Sequence, residues 1–276
     1  MPKCRPRSIV VLLSTLAFIA VFASGCGGAR AGLAGSSTMD SVLASGKLRV
    51  AYLSNYPPYG TLSTDGTPQG YDVDIARKLA DSLGVEAEFV SATNADRVPL
   101  LQTNKVDVVI GSFTQTLERA QVVSFSDPYN VAGQVLAVRT GSPVGGINDL
   151  AGKTIAVTKG ATAGPALQKA VPDATLQSYD SPEQTLLALD SGKSDAAVED
   201  SNFLAYQASK GSPLVIPSSE SLVPLEYNAI GVKLGDPVWL TYVNQFVFKL
   251  NSTGENKSLY RQWFGFDSPY PLTPAY

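Results

Sequence analysis

Twice along this chain, short apolar runs alternate with amphipathic segments, and that alternation limits the fold more than any other feature. The first series begins at Gly46. Lys47–Leu53 (KLRVAYL) reads as a strand, and Tyr56–Tyr59 (YPPY) as a Pro-stiffened loop. Tyr71–Leu83 reads as a helix with Ile75, Leu79 and Leu83 on one face and Gly84 as its stop. Glu86–Val90 is a strand, Val98–Thr103 a short helix and Val106–Ile110 (VDVVI) a buried strand. The second series has strands at Gln134–Arg139, Thr154–Thr158, Thr175–Tyr179 and Asp195–Val198, with helices at Ala163–Ala170 and Pro182–Ser191. A strand at Tyr227–Val232, a long helix near Pro237–Leu250 and a closing segment at Tyr260–Phe264 follow. Such βαβ order is the signature of a largely parallel α/β sheet. Two series with a returning tail predict two lobes and a cleft. Ligands of open α/β sheets sit beyond the carboxyl ends of strands. The loops after Val106–Ile110, Thr154–Thr158 and Asp195–Val198 are therefore the places to search.

The N-terminus predicts export. Lys3, Arg5 and Arg7 precede an apolar run from Ile9 to Ala23, broken only by Ser14 and Thr15 and too short to span a bilayer comfortably. Ala23, Ser24 and Gly25 then lead into Cys26, a lipobox-like ending, although Ala23 stands where a lipobox usually has Leu. Residues 1–25 are expected to be a removed signal peptide and Cys26 a lipid-bearing N-terminus. Two acyl chains there would give firm membrane attachment; plain secretion is the alternative. Residues 26–39, rich in Gly, Ala and Ser, read as a tether. The other cysteine, Cys4, lies in the removed segment, so the mature chain has no intramolecular disulfide.

Removing Lys3, Arg5 and Arg7 from the 21 Lys and Arg leaves 18 against 24 Asp and Glu, a net charge near −6. An acidic chain without a basic run is a poor nucleic-acid binder, and none is expected as a partner. The absence of histidine removes Ser–His–Asp and Cys–His catalysis and leaves a zinc site without its usual ligands. Neither GxGxxG nor GxxxxGK[ST] occurs, which argues against nucleotides. No cofactor and no metal are expected.

Several stretches, in order, resemble the periplasmic or extracellular polar amino-acid-binding proteins of ABC importers (bacterial solute-binding protein family 3). They are "GKLRVAY…YPPYG", "GYDVDIARKLA", "KVDVVIGSFTQTLERAQVVSFSDPY", "DLAGKTIAVTKGATA", "LDSGKSDAAVED" and "YRQWFG". The resemblance runs from about Gly46 to Gly265. It implies the two-lobed periplasmic-binding-protein fold: an α/β architecture whose lobes are each a mixed, mostly parallel sheet flanked by helices, joined by two hinge strands. Lobe 1 would hold residues 40–131 and 228–276, and lobe 2 residues 132–227. The crossings would lie near Ala132–Gln134 and Leu225–Asn228, and closure about a ligand would be hinge motion.

A free amino acid brings a carboxylate and an ammonium into such a cleft, and each needs a partner because an unpaired buried charge is costly. The resemblance implies that Arg119, in Thr116-Leu117-Glu118-Arg119, grips the carboxylate. Spacing alone would also suit a polar helix face. It implies that Asp200 holds the ammonium, with Glu199 as the neighbour open to confusion. Gly111 would lend a carbonyl, Ser112 and Thr114 hydroxyls and donors, and Thr162 a donor from a loop that opens a helix. Ala161 stands where the family often has Ser or Thr. Tyr56 would lie over the ligand's aliphatic part. Leu53 replaces the acid that cationic ligands usually require, Asn94 replaces an aromatic, and Arg97 is placed to reach the ligand side chain, with Lys159 as a second cation. Glutamate or aspartate is therefore the expected ligand, then glutamine or another polar amino acid.

Two other functions compete. A cyclohexadienyl or arogenate dehydratase-like enzyme uses the same scaffold and would need Glu199 or Glu226 as a general acid. A sensor ectodomain would continue into a membrane helix. Against both, the expected function is a monomeric, non-enzymatic, lipid-anchored binding protein at the outer face of the cytoplasmic membrane, delivering an amino acid to the transmembrane subunits of an ABC importer.

Overall fold

The computed structural model describes residues Ser37–Leu272; the signal segment, Cys26 and most of the expected tether lie outside them. The tether's last residues are not loose. Ser37 caps α1 (Thr38–Ser45), and Asp236 accepts from the Ser37 hydroxyl at 2.9 Å and from the Thr38 amide at 2.6 Å. From there the chain runs β1 (Lys47–Leu53), β2 (Thr61–Leu62), β3 (Pro68–Gln69), α2 (Tyr71–Leu83), β4 (Glu86–Ala92), α3 (Arg97–Gln102), β5 (Val108–Val109), α4 (Leu117–Ala120) and β6 (Val123–Ala132). Next come β7 (Gln134–Arg139), a 3₁₀ turn at Ile147–Asp149, β8 (Thr154–Thr158), α5 (Ala163–Ala170), β9 (Thr175–Tyr179), α6 (Pro182–Asp190), β10 (Ala196–Asp200), α7 (Ser201–Ser209) and β11 (Leu214–Val215). The chain then returns through β12 (Glu226–Lys233), α8 (Pro237–Ser252) and α9 (Glu255–Phe264).

Two five-stranded sheets result, ordered β4-β1-β5-β12-β6 and β11-β7-β10-β8-β9. Each carries two parallel and two antiparallel pairings. Within these two sheets every antiparallel pairing involves β7 or β12, the strands that follow the crossings. Strands wound locally through helices run parallel, whereas a strand arriving from the other lobe has no such constraint. The crossings lie side by side. Glu226 at the start of β12 is in register with Ala132 at the end of β6, and only Gly133 separates Ala132 from β7.

Burial explains the strand sequences. Val50 to Leu53 of β1 are all buried, because a strand in the middle of a helix-covered sheet meets apolar neighbours on both faces. Helix α2 turns Tyr71, Ile75 and Leu79 inward and ends at Gly84 with φ 69°. The sequence pattern misses α1, β2, β3, α4, β6, α7 and β11, and ends β10 two residues early. VSFSDPYNVA mixes polar and apolar residues because β6 is at a sheet edge and then becomes a hinge.

Candidate functional site

The loop after β5 is held in a conformation that most residues avoid. Ser112 has φ 42°. Its amide donates to Asp72 Oδ2 at 2.8 Å, and its carbonyl accepts from Arg97 Nη1 at 2.8 Å. These two charge-assisted bonds offset the strain, which costs about 1–3 kcal/mol at such a position. Arg97, the first residue of α3, is 3% exposed. Its Nη1 also donates to Gly111 O at 3.0 Å, its Nε to Asn94 O at 3.0 Å and its Nη2 to Gly160 O at 3.1 Å. The guanidinium carbon sits 4.7 Å from the Phe113 ring centre. Burial, with the charge of Arg119, lowers its pKa.

Arg119, from α4, approaches the same ring at 5.1 Å and the same Gly160 carbonyl at 2.9 Å, and donates to Thr114 O at 2.7 Å. Four of the five N–H groups of Arg97 face carbonyls, against two of Arg119. The second arginine keeps three donors for a planar anion.

The second lobe brings Thr162 and Asp200. Thr162 precedes α5, and its hydroxyl is 3.4 Å from Gln134 Nε2. Asp200 ends β10 and caps α7: Oδ1 accepts from the amides of Asn202 at 2.8 Å and Phe203 at 3.0 Å. The Tyr59 hydroxyl, from the first lobe, lies 3.1 Å from both carboxylate oxygens. Burial pushes the Asp200 carboxyl up to about 7. Its neighbour Glu199 accepts from the Thr158 hydroxyl and is pushed by burial to about 8. The two acids are the last residues of β10 and have separate partners, Thr158 for Glu199 and Tyr59 with the α7 amides for Asp200, yet both line the cleft.

Tyr56 packs against Tyr59 and Phe203 with ring centres at 5.0 and 4.9 Å. Together Tyr56, Asn94, Arg97, Ser112, Thr114, Arg119, Gln134, Ala161, Thr162, Glu199, Asp200 and Glu226 line one cleft between the lobes. Three expectations change. Gly111 lies off the cleft wall, its carbonyl taken by Arg97. Arg97 faces carbonyls where a ligand carboxylate was expected. Lys159 is exposed and Leu53 is buried in the core; neither lines the cleft. Among the described residues there is no cluster of metal ligands.

Residues 48–266 match the bacterial extracellular solute-binding proteins, family 3. The chain belongs to that family. The ABC transporter glutamine-binding protein GlnH of Bacillus subtilis (strain 168) is 30% identical over 208 residues, 74% of this chain and 76% of that protein. The crystal structure of a mutant of ArgBP from T. maritima aligns with a TM-score of 0.77 at 34% identity, covering 83% of this chain and all of the other. An ancestral amino-acid-binding protein, described as a precursor of cyclohexadienyl dehydratase, aligns with a TM-score of 0.76 at 33% identity, over 83% of this chain and all of the other. The relatives carry the names of binding proteins, and this family 3 protein is a solute-binding protein, not an enzyme.

In this family 3 protein several further polar residues complete the site, and sequence reasoning had considered only Glu226 among them, as a general acid. Asn130 Nδ2 donates to Tyr59 Oη at 3.0 Å and to Asn228 Oδ1 at 2.8 Å, and Asn202 Nδ2 donates to Val131 O at 3.0 Å. These buried amides tie the two hinge strands to the hydroxyl that faces Asp200. Gln134 and Glu226 begin β7 and β12, and Gln134 Nε2 donates to Glu226 Oε2 at 2.8 Å. The signal was a polar residue opening an otherwise apolar strand, as in QVLAVR. The cavity among the lining side chains is only about 20 Å³, room for about one water.

Proposed function

We propose that this protein captures a free amino acid between its lobes, as a monomer, and delivers it to the transmembrane subunits of an ABC importer. The observation that carries the reading is one cleft holding Arg119, with three uncommitted N–H groups, and Asp200, whose second carboxylate oxygen meets only a tyrosine hydroxyl. A carboxylate and an ammonium on one carbon would complete both. Ser112, Thr114 and Thr162 supply further polar contacts, and Tyr56 covers the carbon between. A thermal-shift screen against the common amino acids tests this. A ligand at 100 times its Kd adds about 2.7 kcal/mol of stability. The expected result is a raised melting temperature with at least one amino acid; no response to any of them overturns the reading.

The protein is further proposed to be exported and lipid-anchored through Cys26. The support is the cationic start, the apolar run and the small residues before Cys26. Cys26→Ala is expected to move the protein from the membrane to the soluble fraction; retention on membranes overturns the anchor.

A further inference from the structure

The strained Ser112 loop is held from two sides, and only one of the two holders lines the cleft. Arg97 takes the Ser112 carbonyl; the amide goes the other way, to Asp72 in the first turn of α2. Asp72 is 1% exposed and lies off the cleft wall. Its Oδ2 accepts from the Ser112 amide at 2.8 Å and its Oδ1 from the Tyr129 hydroxyl at 2.9 Å. Among the described residues no cation lies within salt-bridge distance of it. We propose that Asp72 is a positioning residue for ligand capture. It does not touch the amino acid; it holds the Ser112 amide away from the ligand and fixes the loop in the conformation that binds. The inference rests on the amino-acid-capture reading and adds to it a residue outside the cleft.

A serine left to itself prefers negative φ, and Ser112 sits at φ 42°. Relaxing that peptide would move the Ser112 side chain relative to the cleft and draw the Gly111 and Ser112 carbonyls off Arg97. The bond to Asp72 opposes this, because a buried amide that leaves a carboxylate loses a charge-assisted partner. Asp72 is itself fixed. The dipole of α2 favours a negative charge in its first turn. Tyr129, which donates to the other carboxylate oxygen, lies in β6 close to the crossing, and its carbonyl accepts from Tyr71 Oη at 3.1 Å and Asn256 Nδ2 at 2.7 Å. The ligand loop is thereby tied to α2, to β6 and, through Asn256, to α9. With its amide committed, Ser112 has its hydroxyl left for the ligand, and that hydroxyl has no hydrogen-bond partner among the described residues.

The test titrates the amino acid that raises the melting temperature most into native protein, Asp72→Leu, Asp72→Asn and Tyr129→Phe, and records the melting temperature of each without ligand. Asp72→Leu is expected to weaken binding at least about tenfold. Asp72→Asn keeps a side-chain oxygen for the Ser112 amide and turns N–H groups to the Tyr129 hydroxyl, which can accept, so its affinity should stay within about threefold of native. Tyr129→Phe leaves the Ser112 bond in place and should do the same. All three should melt lower, because each disturbs a buried polar group. Affinity that falls in step with stability across the three overturns the proposal, and so does an Asp72→Leu that binds as tightly as native. If Asp72→Leu does not fold, the native protein decides. The NMR coupling through the hydrogen bond from the Ser112 amide to the Asp72 carboxyl carbon should be present without ligand and persist at saturation. Its loss on binding would mean that the ligand takes the amide, and the proposal fails. Each of these failures leaves amino-acid capture standing, whereas a native protein that binds none of the common amino acids removes both readings together.

Discussion

The start of α3 and the end of α4 present the cleft with the same chemistry and put it to different uses. Arg97 and Arg119 both lie against Phe113, and both reach the Gly160 carbonyl of the opposite lobe. Arg97 is sealed in and faces four carbonyls, so its charge fixes the strained Ser112 loop and holds the lobes together. Arg119, half-buried at the end of a single helical turn, keeps donors toward open space. The difference teaches that a guanidinium's role follows from how many of its five N–H groups the backbone has already taken, not from its presence at a cleft.

The largest effect expected from breaking this comparison is on binding. Arg119→Ala or Asp200→Ala strands one ligand charge, a loss of about 3–5 kcal/mol or 10²–10³·⁵ in affinity. Titration of the best amino acid checks it, and a loss below about tenfold in either variant means the clamp lies elsewhere. Arg97→Met should fail differently. It leaves the Gly111, Ser112 and Asn94 carbonyls without their buried donor, which costs about 1–3 kcal/mol of fold stability. Thermal melting without ligand should therefore fall for Arg97→Met and stay nearly unchanged for Arg119→Ala. Equal melting temperatures for the two variants would erase the distinction.

Gly160 is where both arginines converge. It has φ +77°, and a Cβ there would lie 2.7 Å from the Ala95 amide nitrogen and 2.9 Å from Asn94 C. Gly160→Ala strains the turn and keeps the lobes apart, an expected cost of about 1–3 kcal/mol, or roughly 5- to 150-fold in affinity. Small-angle scattering should show the ligand failing to compact the variant; native-like compaction at saturating ligand would contradict the contact.

The smallest effect is with pH. Burial pushes Asp200 up to about 7, so its ionised form is disfavoured until an ammonium arrives. Affinity is then fully present above about 7 and falls as pH drops below it, by at most about tenfold per unit, with protons released on binding. Asp72, also pushed to about 7 by burial, titrates in the same window but faces Tyr129 and the Ser112 amide. Asp72→Asn should leave the slope in place, and a slope that vanishes with Asp72 would move the effect away from the ammonium site.

The lobes and most strands were legible from the chain alone. Hydrophobic period is a local property, so KLRVAYL and YDVDIARKLADSL declare a strand and a helix without reference to anything distant. The resemblance to a known family, and not spacing, is what pointed to Arg119 and Asp200. Only the tertiary structure decided what each charge is for. Whether Arg97 meets a ligand or the carbonyls of Gly111, Ser112 and Gly160 depends on loops brought together by burial, 14 to 63 residues apart in sequence. The same holds for Glu226, which reads as an ordinary strand-end acid until β12 returns beside β6 and sets it against Gln134, 92 residues away. Periodicity encodes which face of an element is buried. It carries no record of which polar groups will meet once those faces have packed.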